Sequence, residues 1–351
     1  MFVIKSMRLK NLFFLFLSII FACLLLINPS PCIASAKNGL NISLYLVLPS
    51  LFPFAVISSY IAGNLTIPKA VSKIFFKLFN IGQGSVIPLI LGLISGFPVG
   101  AVLVSDMLKE KRLTADEASY LLPFCNALSP LFVIGVLGGG MLGSYKLGYF
   151  LYIIHLISLL LVAFLLKNNA PFKKNTGINK SNKTSFTAAI DKGIFAMLNV
   201  SACIIFFSVV LSMIKELGIF EIFGQFSSVL YGAVELTNGL NFLTLSDLPM
   251  RLKISLASFL CGFSGICIYL QVHSAVKNTK VSLSKYLIFK LLIGITAFLI
   301  SWLLYPLVPF PYETSAISMV SANGFVSSFA YIPTAILLAC RFLKRLFFDN
   351  R

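Results

Sequence analysis

The sequence predicts an all-α polytopic membrane protein, built of two pseudo-symmetric halves with broken or re-entrant helices in the manner of a transporter. Three observations predict it. Of the 351 residues 58% are hydrophobic and 11% charged, and the mean hydropathy is +0.95, which excludes an ordinary soluble domain. The 28 Lys and Arg, against 11 Asp and Glu, fall between apolar runs, as basic residues do in cytoplasmic loops. Two apolar segments are interrupted alike, by Ser95-Gly96-Phe97-Pro98-Val99-Gly100 and by Cys261-Gly262-Phe263-Ser264-Gly265. At the same offset of 166 residues Lys111 aligns with Lys277, Tyr120 with Tyr286 and Leu121 with Leu287, so the interruptions read as an internal duplication. The length leaves room for roughly eight to ten spans of about 20 residues.

The elements follow in order. Leu12 to Ile27 is apolar after the basic start Lys5, Arg8 and Lys10. It precedes Ala34-Ser35-Ala36, which resembles a signal-peptidase site, and is expected as a retained helix. Ile42 to Ile61 carries Pro49 and Pro53, and the stretch with Lys69, Lys73 and Lys77 reads as an interfacial amphipathic helix. Val86 to Ser105 holds the first break. Ala118 to Leu142 holds another at Pro123, Asn126, Ser129 and Pro130, and Leu147 to Leu166 is a clean span. The polar, Lys-rich stretch 167–192 is a flexible linker. Beyond it lie Gly193 to Met213, Leu217 to Val234, the interruption Glu235-Leu236-Thr237-Asn238-Gly239, Leu252 to Gln271, Leu287 to Val308 and Phe325 to Cys340.

This divides the chain into an anchor or signal-like helix at 1–37, a first membrane repeat at 38–166, a basic cytoplasmic linker at 167–192 and a second membrane repeat at 193–351. If every apolar run spanned and the N-terminus were cytoplasmic, the linker would lie outside, against the positive-inside rule. Re-entry of Val86 to Ser105 restores the rule, and re-entry of Leu252 to Gln271 puts Lys277, Lys280 and the cluster Arg341, Lys344 and Arg345 inside as well. Strict inverted symmetry would place that second broken segment on the opposite face.

The breaks supply the candidate site. Glycine and proline inside a span free backbone groups that hydrocarbon cannot satisfy, so a break lies against protein or a watery cavity; paired breaks in two halves point to a midplane substrate site. The candidates are Ser95, Gly96, Phe97, Pro98 and Gly100 in the first half and Gly262, Phe263, Ser264 and Gly265 in the second. Half-helix N-termini there offer amides to an anionic group, while close helix packing by small residues is the plainer alternative. Asn126 and Ser129 either line the path or bridge helices. Glu235 is an intramembrane acid that couples H+ or Na+, or else a loop residue just outside the hydrocarbon; Thr237, Asn238 and Gly239 follow it with substrate-orienting or cation-coordinating oxygens. His155 reads as a hydrogen-bonding group between helices. Asp106, Glu110, Asp116 and Glu117, mixed with Lys109, Lys111 and Arg112, read as a salt-bridged solvent face. Seven cysteines and two histidines show no metal spacing, and no nucleophile and base, phosphate loop or metal cluster marks an enzyme. No cofactor and no nucleic acid is expected; the lipid bilayer is the partner of the basic loops.

Four motifs in order, Leu48-Pro49-Ser50-Leu51-Phe52-Pro53-Phe54, Ser95 to Ala101, Asn126-Ala127-Leu128-Ser129-Pro130-Leu131-Phe132 and Glu235 to Gly239, resemble the YlbJ-type sporulation integral membrane proteins. The likeness runs from about residue 38 to 340. The membrane core is similar to the nucleoside-recognition Gate domain of the concentrative nucleoside transporters, to whose Cys-Gly-Phe motif Cys261-Gly262-Phe263 is similar. The resemblance implies a role in endospore formation, in the mother-cell membrane surrounding the forespore, as a carrier of dipicolinate and a determinant of the spore cortex. A structural or assembly protein needed for spore maturation and a nucleoside-type carrier are the alternatives, and either a monomer or a homo-oligomer fits.

Overall fold

The computed structural model describes residues 9–169 and 183–307, and every regular element among them is helical. The expected helix Phe325 to Cys340, the basic clusters at both ends and linker residues 170–182 lie outside the described residues.

Helix α1 (Leu9–Ile27) leads into α2 (Pro29–Ile42), a π-helical turn π1 (Ser43–Val47) and α3 (Leu48–Asn64). The last three form one apolar rod of 36 residues, about 54 Å at 1.5 Å per residue and so longer than the hydrocarbon layer. Ala34-Ser35-Ala36 lies inside α2, which runs through residue 37 without a boundary. Pro68 opens α4 (Lys69–Phe79) and Asn80, left-handed at φ 54°, closes it. Its three lysines recur every four residues, and it meets α5 (Gln83–Ser95) at 81°, as an interfacial helix meets a buried one.

Gly96 stops α5 with φ 81° and ψ 178°, a conformation in which a Cβ is strained. The chain then turns back, because α6 (Val99–Lys109) packs on α5. A Cβ on Gly92 or on Gly100 would strike the same Cys125 carbonyl oxygen, so the end of α7 (Ala115–Cys125) is wedged between the two arms. Thr114 and Glu117 start α7 with a reciprocal capping box. After the break at Asn126 to Pro130 comes an eleven-residue π-helix, π2 (Leu131–Met141), then α8 (Tyr145–Leu165).

The second half repeats this order. α9 (Phe186–Glu216) is the long helix, a 3-10 turn (Glu221–Phe226) follows, and α10 (Ser227–Val234) folds back on α11 (Leu236–Leu245) at Glu235. α12 (Met250–Phe263) and α13 (Gly265–Val276) form one broken rod, and α14 (Tyr286–Leu304) closes the series. Element by element, Phe97 corresponds to Glu235 and Asn126 to Ser264, both at an offset of 138 residues. The ends of α7 and α12, and of α8 and α14, agree with this offset to within a residue. Packing obeys it too: α13 lies on α6 and π2 on α11, α12 on α8 and α7 on α14.

The 166-residue register is therefore corrected. It matched two glycine-rich breaks of the same local chemistry that belong to different elements, a hairpin tip and the middle of a broken rod. The re-entrant segment of the second half is α10–α11, whereas Leu252 to Gln271 runs through as part of Met250–Val276, 27 residues long. Among the described residues five helices are long and apolar enough to cross a membrane, or six if the bent pair α4–α5 counts as one. Short half-helices, α5 with α6 and α10 with α11, take up further apolar length among the described residues. Of the expected solvent face, Arg112 and Glu117 are buried. Arg112 donates to Ala62 O at 3.3 Å and pairs with Glu110 at 3.4 Å, and Asp106 pairs with Lys192 of α9 at 2.7 Å.

At the tip of the second hairpin a Cβ on Gly239 would lie 1.9 Å from Gly232 Cα. Gly239→Ala is expected to cost about 3 kcal/mol or more in thermal unfolding of the detergent-solubilised protein. Gly135→Ala, where the nearest atom is a Leu131 methyl at 3.7 Å, changes stability by less than about 1 kcal/mol.

Candidate functional site

The breaks of both halves converge on one small cavity of about 20 Å³, room for a water molecule and far below the several hundred Å³ of a solute site. The conformation is closed. Val47, Leu51, Val200 and Ile204 of the long helices wall it, with Phe97, Leu128, Phe132 and Ile268. Ser129, Glu235, Thr237 and Gln271 supply its polar groups.

Glu235 is buried, 3% exposed, at the turn between α10 and α11. Its carboxylate is the N-cap of α11: Oε1 accepts from Thr237 N at 2.9 Å and Oε2 from Asn238 N at 2.8 Å. The Asn238 side-chain amide donates to the same Oε2 at 2.7 Å and to Ser208 Oγ of α9 at 3.2 Å. The positive end of α11 is thus already occupied by its own acid. No side chain caps the first turn of α6 or of α13, so the amides left for an outside anion are there.

The remaining expected residues divide between lining and support. Phe97, Ser129, Glu235 and Thr237 line the cavity. Ser95 hydrogen-bonds Ser58 of α3, and Pro98 follows Phe97 through a cis peptide bond. Gly96 packs on Ser129, its added Cβ falling 2.9 Å from the Ser129 nitrogen. Gly100, Gly239 and Gly262 permit close backbone approach, Gly262 to Gly294 of α14; at these three positions the packing alternative describes what the glycine does. Phe263 stacks on Phe259. Ser264 and Gly265 have positive φ, 72° and 84°, and turn the chain from α12 into α13. Asn126 is fully buried and donates from Nδ2 to the Tyr286 hydroxyl at 3.0 Å.

Sequence reasoning missed Lys290. It is fully buried in α14, where its ammonium donates to Asn126 O at 2.6 Å and to Ser264 Oγ at 3.3 Å, joining the two equivalent breaks. The signal was present, a lone lysine inside an otherwise apolar span. Gln271, which reads as interfacial in the sequence, faces the cavity with its Oε1 lacking a hydrogen-bond partner. His155 accepts the Leu128 N–H at 3.2 Å and so satisfies the break after α7.

This chain is similar along nearly its whole length to the sporulation integral membrane protein YlbJ of Bacillus subtilis (strain 168). The two are 26% identical, with 97% of this chain aligned to 95% of that protein. The likeness supports a YlbJ-type assignment. No protein-family model matches it, so the likeness to the Gate domain rests on the motifs quoted above. No solved structure matches it either.

Glu235 and Gln271 separate by experiment. In Glu235→Gln an amide NH2 replaces one oxygen and confronts the N–H donors of α11, so the variant melts lower by about 1–3 kcal/mol. Gln271→Met removes an oxygen with no partner together with the weak Nε2–Cys267 Sγ bond of 3.5 Å, so its melting temperature falls by less than that of Glu235→Gln; an equal fall would show that the Gln271 oxygen is held as well.

Proposed function

We propose that this chain is a sporulation carrier that moves a small anionic solute, dipicolinate, across the mother-cell membrane surrounding the forespore. The observation that carries the reading is the single cavity on which hairpin tips and broken rods of both halves converge, the arrangement expected of a midplane transport site. The cavity of about 20 Å³ is too small for a solute, so binding requires the hairpins to part from the long helices.

Ser129, Thr237 and Gln271 supply orienting side chains for the anion, and the first turns of α6 and α13 carry no side-chain cap of their own. Glu235 is a tethered carboxylate already seated on the third N-terminus. Delivering a proton to it frees the Thr237 and Asn238 amides for a carboxylate of the substrate, which couples proton and anion in one step. Glu235→Gln, fixed in the uncharged form, then loses accumulation against a gradient while retaining downhill exchange.

The test is uptake of labelled dipicolinate by proteoliposomes, paired with cysteine labelling. Gly96 is a poor place for the probe, because its positive φ and the contact with Ser129 exclude a side chain. Ser129→Cys and Thr237→Cys, in a background free of native cysteine, react with small aqueous thiol reagents, and dipicolinate slows both reactions. Absence of uptake together with two inert cysteines would instead favour a scaffold with tightly packed breaks.

A further inference from the structure

We propose that Lys290 is a tethered cation that fills the ion site between the two broken rods, so that this carrier works without Na+ at that position. The transport part rests on the carrier reading above; the cation site itself does not.

The ends of α7 and α12 meet at Lys290. Asn126 is the C-cap of α7 and Ser264 that of α12, and the two are equivalent positions of the two halves. A helix C-terminus carries about half a negative elementary charge, so two of them amount to roughly one. The ammonium touches α7 directly, through Asn126 O at 2.6 Å. It reaches α12 through a relay, since Ser264 Oγ accepts from Lys290 at 3.3 Å and can donate to Cys261 O at 3.3 Å. No carboxylate among the described residues lies within ion-pair distance of Lys290. What faces the amine is the pair of helix C-terminal ends.

The neighbours hold it in place. Gly262 lets α14 approach α12 at Gly294, one turn beyond Lys290 on the same face, and the Asn126 Nδ2 bond to Tyr286 anchors the first turn of α14. Asn126 Oδ1 is buried with no hydrogen-bond partner, a spare acceptor at the same residue. Oxygens at unwound half-helix C-termini are what a transporter uses to coordinate a monovalent cation. Here a side chain from a third helix supplies the cation. The site exists once, because the equivalent position in α8 is Tyr152, whose hydroxyl donates to Leu93 O in the last turn of α5 at 3.3 Å.

Removing the amine should therefore open a vacant cation site. The experiment measures thermal unfolding of the full-length protein in detergent, in choline chloride against sodium chloride or methylammonium chloride. Wild type is expected to melt alike in all three. Lys290→Ala melts lower in choline and recovers, saturably, with methylammonium or Na+. A Lys290→Ala variant indifferent to small cations, or a wild type stabilised saturably by Na+, would overturn the proposal. Should Lys290→Ala fail to fold, Lys290→Met keeps the length without the charge. Its dipicolinate uptake in proteoliposomes is expected to fall by about ten-fold or more, and uptake equal to wild type would overturn the proposal as well. If wild type takes up no dipicolinate at all, the carrier reading fails while the melting measurements still decide the cation site.

Discussion

The structure depends on one constraint: each time a helix is interrupted inside the apolar region, the freed backbone groups need partners that hydrocarbon cannot provide. At the first hairpin, the Gly96 carbonyl takes the Val99 N–H, and the glycines on both arms admit the Cys125 carbonyl between them. At Asn126 to Pro130 the partners come from other elements: His155 for the Leu128 N–H and Lys290 for the Asn126 carbonyl. At Glu235 the side chain of the break residue itself caps the helix that follows. The breaks are stable because each is assigned a specific partner, and one of those partners, Glu235, also lines the cavity.

This explains why glycine is unevenly important. Gly96 and Gly265 are needed for their positive φ, whereas Gly92, Gly100, Gly239, Gly262 and Gly294 are needed because another backbone passes where a Cβ would stand, and Gly232 because the Leu260 side chain does. The second group packs both arms of the first hairpin on the end of α7, α11 on α10, and α12 on α14. Small residues at such contacts let helices approach closely enough for side chains as short as Ser264 to reach across.

Much of the architecture is legible in the sequence. Composition gives the membrane class, and Gly96–Pro98, Asn126–Pro130, Glu235 and Ser264–Gly265 are the actual breaks, because glycine, proline and isolated polar residues stand out against apolar sequence. The pairing of the breaks is not legible. Ser95-Gly96-Phe97 and Cys261-Gly262-Phe263 resemble each other since both end a helix, yet the true partners, Phe97 with Glu235 and Asn126 with Ser264, share position without sharing residues. The equivalence is carried by helix lengths, which local motifs do not encode. Glu235 reads from the sequence as an acid at a segment boundary; that its two oxygens are consumed by the next two amides appears once the hairpin is closed. Gln271 and Ser129 belong to one cavity only through packing of elements more than a hundred residues apart.

The halves have diverged in charge while keeping their frame. Glu235 stands where the first half has Phe97, and Lys290 where it has Tyr152. Each charge sits on the helix pole of opposite sign, the carboxylate on the N-terminus of α11 and the ammonium on the C-terminal ends of α7 and α12. A buried ion held by helix dipoles and hydrogen bonds avoids part of the desolvation cost that an isolated ion meets. It also makes the closed state electrically complete without any solute. On the carrier reading proposed above, a dicarboxylate entering the cavity competes with Glu235 for amides, while Lys290, bonded to Asn126 O and Ser264 Oγ, keeps the two broken rods joined. On that reading the two halves supply one displaceable charge, Glu235, and one fixed charge, Lys290, so that the hairpins can move against a frame that does not.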